Sequence, residues 1–192
     1  MEPLTWGVVG VAVVLGIAWY LSYSAARLDR LHSRVEGALS ALDAQLVRRA
    51  EATLELANSG ALDPASGFML ADAASQSLEA HNERPIEDDM LEGQSFAGRE
   101  GIESDLTAAL VAALTPEVLD HVRAQGGPGE PALQRVESAG LRVQLARRFL
   151  NDAVTDVRRV RRKWVVRVFR LAGHAELPRT VEFDDELPTT RE

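Results

Sequence analysis

The side chains that most often support catalysis or bind metals are scattered along this chain. The four histidines are His32, His81, His121 and His174. His32 has a carboxylate one helical turn away, at Glu36, but two ligands do not make a zinc site, which needs three or four. The sequence contains no cysteine, which excludes disulfides, thiolate zinc sites and cysteine nucleophiles. We therefore expect no metal centre built from these residues.

Sequence signatures of common enzyme classes are missing as well. The sequence has no G-x-S-x-G nucleophile elbow, and no phosphate-binding or dinucleotide-binding glycine motif follows a predicted strand. The acidic segment 83–101 contains Asp88 and Asp89, but its oxygen ligands do not follow the spacing of a calcium loop. A solvated acidic loop is the simpler interpretation of this segment. We therefore expect a non-enzymatic protein with no cofactor.

A short basic stretch, residues 158–170, combines seven cations with aromatic and β-branched residues. Three roles fit it: binding nucleic acid, contacting anionic lipid, or forming a helix end whose cations favour the negative end of the helix dipole. The formal net charge of −8 argues against general affinity for nucleic acid. Lipid contact is the favoured interpretation. The residues predicted to contact the membrane surface are Arg158, Arg159, Arg161, Arg162, Lys163, Trp164, Arg167, Phe169 and Arg170.

Residues 4–23 predict a transmembrane helix. This run has no charged side chain, and about 20 apolar residues at 1.5 Å each cross the roughly 30 Å hydrocarbon core. One tryptophan lies near its start, and a second tryptophan and two tyrosines lie near its end, as in an aromatic belt. A cleaved signal peptide is the alternative, but the run is long for one and no basic segment precedes it. We expect an uncleaved anchor, with residues 1–3 as a short extracytoplasmic terminus.

Flanking charge predicts the orientation of this anchor. Arg27, Arg30 and Arg34 follow the apolar run directly, and no lysine or arginine precedes it. The positive-inside rule then places the C-terminal domain in the cytoplasm of a single-pass protein of the cell membrane.

The rest of the chain predicts helices, because apolar residues recur at three- and four-residue steps from Leu28 onward. The predicted helices run from the anchor to Ala57, from Pro64 to about Asn82, from Ile102 to about Gln125 with a restart at Pro116, and from Pro131 to about Arg170. We therefore expect an all-α fold, in which the anchor continues into an antiparallel four-helix bundle, residues 24–172. Residues 173–192 contain proline and acidic residues and are expected to form a mobile tail.

Helix lengths connect this fold to the basic stretch. At 1.5 Å per residue, the first helix rises roughly 50 Å from the membrane and the last descends roughly 60 Å. The basic stretch would then arrive at the bilayer surface. The shorter second helix would leave the acidic loop away from the membrane, where it could face the descending arginines.

Two short motifs resemble signatures of the LemA family. Residues 35–49, VEGALSALDAQLVRR, resemble its first signature, and residues 143–154, VQLARRFLNDAV, resemble its second. The matching positions are Ala38, Ser40, Leu42, Asp43, Gln45, Leu46, Arg48 and Arg49, followed by Ala146, Arg147, Asn151 and Val154. The resemblance implies an N-terminal anchor, a helical bundle and membrane localisation, with no established enzymatic chemistry.

The chain departs from the family pattern at several positions, so it resembles a divergent member. The family usually has an aromatic residue where Leu39 stands, tyrosine where Leu150 stands, and an acidic residue where Gly140 stands. The polar motif positions could form interhelical hydrogen bonds that set the register of the bundle, or they could form a solvated face. These positions are Asp43, Gln45, Arg48, Arg49, Arg147 and Asn151.

Two functions follow from the sequence as hypotheses. The favoured one is a non-enzymatic scaffold at the membrane surface that recruits protein partners. The alternative is a membrane-tethered regulatory or accessory subunit of an envelope enzyme such as a protease, which would contact its partner through the acidic loop. The expected partners are the lipid bilayer and other proteins, with a homo-oligomer as a further option and without nucleic acid.

Overall fold

The computed structural model describes residues 3–83, 96, 98–169 and 177–187. Helix is the only regular secondary structure in these residues, which confirms the predicted all-α class. The helices are α1, Pro3–Asn58; α2, Pro64–Glu83; α3, Arg99–Ala113; α4, Pro116–Gln125; α5, Gly129–Arg161; and α6, Trp164–Val168.

Helix α1 is 56 residues long, or about 84 Å, and it continues without a break from the apolar run into the domain. Among the described residues, it is the one helix that is long and apolar enough to cross a membrane. Residues 6–20 of this run have exposed side chains, as Trp6 and Trp19 illustrate. An apolar helix near the N-terminus also has the length and composition of a signal sequence.

The ends of α1 and the starts of α2 and α4 follow local signals in the sequence. Gly60 takes the left-handed conformation, at φ 74°, just after α1. The Asp63 carboxylate then caps α2 by accepting hydrogen bonds from the backbone N–H groups of Ala65 and Ser66, at 3.0 and 3.1 Å. Thr115 caps α4 in the same way, with proline at the first helical position.

Helix α1 packs against α5 on one side and α2 on the other, and α2 packs against α3. Arg135 near the start of α5 pairs with Glu55, whereas Asp156 near its end lies 3.7 Å from Arg34. Helices α1 and α5 therefore run in opposite directions.

The core is arranged in three levels along α1. The level at Leu28 contains Val160 and Val166. The middle level joins α1 residues between 35 and 46 to α5 residues between 143 and 157. The third level joins the end of α1 to α2, α3, α4 and the start of α5. Because successive levels pair later residues of α1 with earlier residues of α5, they agree with the opposite helix directions.

The last helix differs from its prediction, because α5 ends at Arg161 and does not continue to Arg170. The short helix α6 follows after a turn at 162–163. Trp164 and Val168, whose spacing continues the apolar series of α5, are 70% and 65% exposed, while Val166 is buried. The change has a tertiary cause, since Val166 packs against Leu28 and Val160.

Residues 177–187 belong to the segment expected to form a mobile tail, yet they pack between α3 and α5 with Val181, Phe183 and Asp185 buried. The predicted loop 83–101 is also shorter, because residues 99–101 form the first turn of α3. The expected contact between the acidic loop and the arginines involves residues 84–95 and 97, which lie outside the described part.

Candidate membrane-facing surface and C-terminal groove

One end of the domain places α6 beside the apolar run of α1. Val166 of α6 and Val160 of α5 form a small buried cluster with Leu28, only five residues after Tyr23. At 1.5 Å per residue this separation along α1 is about 8 Å. Trp164, Val168 and Phe169 project outward at this level and are 70%, 65% and 47% exposed. We call this end of the molecule, formed by α6 and the last turn of α5, the basic end.

The cations predicted to contact lipid divide into two groups in the structure. Arg159, Arg162 and Lys163 are exposed, and the Arg159 guanidinium lies 3.8 Å from the Asp156 carboxylate. Arg158 instead donates a hydrogen bond at 2.8 Å to the carbonyl of Pro178, and Arg161 is half-buried. Burial lowers the pKa of Arg161 from its usual value. The side chain of Arg167 and all of Arg170 lie outside the described part of the chain.

His32 lies next to Arg161 at the same level. Its partly buried position lowers its pKa by desolvation, and the Arg161 charge lowers it further, whereas Glu36 and Asp29 on α1 oppose the shift. Within the described residues, Nε2 of His32 is buried without a hydrogen-bond partner. The neutral imidazole is therefore the form that the fold favours.

A buried polar network joins α1, α2 and α3. The Arg49 and Glu103 side chains are both fully buried, and Nη2 of Arg49 donates a 2.8 Å hydrogen bond to Oε2 of Glu103. Nη1 of Arg49 donates to the Thr107 hydroxyl at 3.0 Å. On its other side, Glu103 accepts a hydrogen bond at 2.9 Å from the Ser77 hydroxyl of α2. This charge-assisted network fixes the relative positions of three helices.

A second carboxylate on α1 extends this network. Asp43 accepts a 2.6 Å hydrogen bond from Nη1 of Arg99, and its Oδ1 lies 3.1 Å from Nδ1 of His81. Arg99 is itself 3.7 Å from Glu103. Two buried arginines therefore face two carboxylates, which balances the charge in this part of the core.

The C-terminal segment, residues 177–187, lies in a groove between α3 and α5. Nδ2 of Asn151 donates to the Val181 carbonyl at 3.0 Å, and the Val181 N–H donates to Oδ1 of Asn151 at 2.9 Å. Farther along, the Thr107 hydroxyl donates to the carbonyl of Asp184 at 2.6 Å, and Gln144 donates to the carbonyl of Asp185 at 2.6 Å. Side chains of the helices thus satisfy the backbone of the segment.

Three alternate side chains of the segment point into the groove. The Phe183 ring stacks on Phe96 with centroids 6.0 Å apart, and it lies 5.5 Å from the Arg147 guanidinium. Arg147 also forms a two-pronged ion pair with Asp185, at 2.6 and 2.9 Å. Val181 is buried in the same core cluster.

The direction of the segment explains how so few residues span the groove. Pro178 contacts Arg158, and Leu187 lies against Gly140, so the segment runs opposite to α5. Nine extended steps cover about 30 Å, and the 18 helical steps from 158 to 140 cover about 27 Å. The extended segment therefore spans the same length as a stretch of helix with twice as many residues.

The six polar motif positions singled out in the sequence differ in the contacts that they make. Asp43, Arg49, Arg147 and Asn151 all make the polar contacts described above, although Arg147 and Asn151 bind the C-terminal segment and not another helix. Arg48 is exposed, and Oε1 of Gln45 is buried without a partner in the described residues.

Glu103 and Thr107 are the main contact residues that sequence reasoning missed. Glu103 and Thr107 lie on the buried face of α3 like ordinary helix residues, and no motif marks them. The alternation of Val181, Phe183 and Asp185 is a period-two pattern typical of an extended segment, and it was the available signal.

Three large apolar side chains form an exposed stripe on α5. Leu141, Leu145 and Phe149 follow each other at four-residue steps, and each is more than half exposed. Exposed Arg142 and Arg148 flank them. A contiguous apolar patch bordered by charges is typical of a protein contact site.

The described residues contain no group of three or more side chains that could hold a metal ion. The open clefts beside the C-terminal segment are lined largely by polar residues, and two of these already have partners: Arg147 pairs with Asp185, and Asn151 bonds the Val181 backbone. Comparison of the chain with protein-family models, curated proteins and solved structures finds no match in any of the three.

Proposed function

We propose that this protein is a single-pass membrane scaffold, in which residues 4–23 cross the bilayer and an antiparallel four-helix bundle recruits protein partners on the cytoplasmic side. The observation that carries the proposal is the position of α6. Its buried Val166 shares an apolar cluster with Leu28, five residues after Tyr23, and this supports a basic end at the bilayer surface when residues 4–23 cross the membrane.

The chemistry of the basic end suits a membrane interface. Trp164 and Phe169 are exposed aromatic residues, which partition well into the headgroup region. Arg159, Arg162 and Lys163 extend into solvent beside them. Each such cation near an anionic surface contributes about 1 kcal/mol to binding. The domain would therefore rest on the membrane through a second contact besides α1.

The apolar stripe on α5 supports recruitment of a protein and not of lipid. The α5 residues beside the stripe, such as Val143 and Ala146, pack at the level of Leu42 and Leu46 on α1. Leu42 lies 19 residues beyond Tyr23, or about 28 Å farther along α1. Leu141, Leu145 and Phe149 are thus held well away from the bilayer when the domain stands on α1.

Membership of the LemA family is part of the proposal. Four polar residues of its two motif-like segments, Asp43, Arg49, Arg147 and Asn151, make buried or half-buried contacts that hold α1, α3 and the C-terminal segment together. Their roles are structural, which fits a scaffold without catalytic chemistry.

Binding of a fragment without the anchor, residues 24–192, to lipid vesicles tests the membrane contact. The protein has three tryptophans, and this fragment retains only Trp164, so its fluorescence reports on the basic end alone. We expect a blue shift with anionic vesicles and none with neutral vesicles. The shift should weaken as salt rises, because charges are screened within about 10 Å at 0.1 M ionic strength.

Two matched triple variants test whether vesicle binding depends on the cations of the basic end or on the total positive charge. Arg159→Gln, Arg162→Gln and Lys163→Gln together should abolish binding and keep the helical circular dichroism. Arg48→Gln, Arg142→Gln and Arg148→Gln remove the same charge from exposed sites elsewhere and should bind better than the first triple variant. Equal binding by the two triple variants, or no binding by the unmodified fragment at low salt, would contradict the proposal.

A further inference from the structure

The groove between α3 and α5 recognises an extended chain through side chains alone. Among the described residues, no backbone-to-backbone hydrogen bond joins residues 177–187 to a helix. Asn151 bonds both backbone groups of Val181, and on the α3 side the N–H of Glu182 donates to the Glu100 carboxylate at 2.9 Å. Backbone contacts of this type select an extended conformation without selecting a sequence.

Sequence selection comes from the inward side chains. Val181 and Phe183 enter the apolar cluster, and Asp185 meets the fork of Arg147. The alternate residues Glu182, Asp184 and Glu186 are exposed and give the segment its acidic character. The groove is therefore specific for the pattern Val-x-Phe-x-Asp in an acidic, extended chain.

We propose that this groove also binds the C-terminal segment of a second copy of the protein, so that two copies exchange residues 177–187. Every copy carries a segment with the required pattern. Release of the segment breaks side-chain contacts and no helical backbone bonds, and the second copy restores the same contacts. The extent of exchange then depends on the protein concentration. Each copy's own tethered segment competes for the groove at an effective concentration in the millimolar range.

Anchoring in a bilayer favours this exchange by holding all grooves at the same height. This step rests on the membrane function proposed above, but the capacity for exchange does not. Crosslinking of the full chain in detergent measures exchange, and flotation of the same protein with vesicles measures anchoring. A failure of either proposal is thus recognised separately.

Crosslinking is clean because the chain has no cysteine of its own. A Cβ placed on Gly140 would lie 3.0 Å from Cγ of Leu187, close to the geometry of a disulfide. One tagged copy carries Gly140→Cys and a differently tagged copy carries Leu187→Cys. After mixing and oxidation, we expect a disulfide-linked heterodimer whose yield rises with protein concentration.

Two controls establish that the heterodimer reports the groove. Thr155→Cys in place of Gly140→Cys puts a thiol on an exposed position of the same helix and measures random collision. Adding Arg147→Ala to the groove copy should lower the yield to that collision level. A second pair, Ser104→Cys with Asp184→Cys, tests the same contact from α3, where the Asp184 N–H donates a 3.1 Å hydrogen bond to the Ser104 hydroxyl. This pair decides the result, because the Cβ of Gly140→Cys would itself crowd the copy's own Leu187 and favour exchange.

One outcome would contradict the exchange of residues 177–187 between copies. If chains that carry both Ser104→Cys and Asp184→Cys close the disulfide within one copy, while mixed single-cysteine copies of this pair never exceed the Thr155→Cys level, the segment binds only its own groove.

Discussion

Arg49 and Glu103 form an ion pair with both side chains fully buried, at 2.8 Å between Nη2 and Oε2. They lie 54 residues apart in sequence, on α1 and α3. Neither charge is exposed to water, so each residue depends on the other for its closest charged partner. The pair therefore links the long helix to the face of α3 that borders the C-terminal groove.

Removal of one member of this pair should destabilise the fold strongly. We expect Arg49→Met to lower the free energy of unfolding by about 3 kcal/mol, because Glu103 loses its closest counter-ion and keeps only the Ser77 hydroxyl and the longer 3.7 Å contact with Arg99. The double variant Arg49→Met with Glu103→Leu should recover part of the loss. Urea denaturation of residues 24–192 measures both. The neighbouring exposed Arg48→Met is the control and should change stability by less than about 0.5 kcal/mol.

Asn151 should hold the C-terminal segment in place through its carboxamide. Asn151→Asp removes the donor to the Val181 carbonyl and puts a carboxylate beside it, at a cost of about 1–3 kcal/mol. The segment contains an exposed arginine, Arg179, so trypsin cleavage there reports its release. We expect cleavage to accelerate roughly tenfold, since proteolysis tracks the open population. Asp152→Asn changes an exposed neighbour, and an equal acceleration in that variant would argue against the role of Asn151.

Local signals were predictable from the sequence, whereas long-range contacts were not. Gly60, Asp63 and Thr115 act through their own backbone neighbours, so their capping roles could be predicted from residue type. No glycine or proline marks the end of α5 at Arg161. The helix ends there because Val166 packs into a cluster with Leu28, which is far away in sequence.

The C-terminal segment shows the same limit at the candidate site. Its ligands come from two helices, 30 residues away in the case of Asn151 and 77 in the case of Thr107. Composition suggests a solvated tail, since proline and acidic residues are common in such tails. Only the fold brings the Arg147 guanidinium to Asp185 and makes an acidic segment bind.

Gly140 should be required for close contact with the end of the segment. A Cβ at this position would lie 2.1 Å from Cδ1 of Leu187, which is too close for that side chain to stay in place. Because the colliding atom ends a flexible side chain, we expect Gly140→Ala to speed trypsin cleavage at Arg179 less than Asn151→Asp does, even though alanine favours the helix by up to about 1 kcal/mol. Leu187→Ala in addition should relieve the collision. A double variant cleaved faster than Gly140→Ala alone would contradict this explanation.

His32 should make stability depend on pH. Its folded-state pKa is lowered from 6.5 by desolvation and by Arg161, so the unfolded chain binds a proton first as pH falls. Stability should be highest above pH 6.5, decline as pH falls through 6.5, and level off below the folded-state pKa. Urea midpoints between pH 8 and 5 measure the decline, and His32→Gln should reduce it. Arg161→Gln should raise the His32 pKa towards its ordinary value. The pH interval over which stability declines should therefore become narrower. An unchanged profile in both variants would contradict the assignment.

The orientation of the anchor gives the final prediction. Arg27, Arg30 and Arg34 follow the apolar run, so the positive-inside rule predicts that the domain stays in the cytoplasm. Ala65 is exposed at the start of α2, where a new thiol would be the only one in the protein. In intact cells, Ala65→Cys should resist a membrane-impermeant maleimide and should react after lysis. Glu2→Cys, on the opposite side of residues 4–23, should react in intact cells and is the matched control. Labelling at position 65 before lysis would reverse the orientation, and it would place the basic end at the outer leaflet.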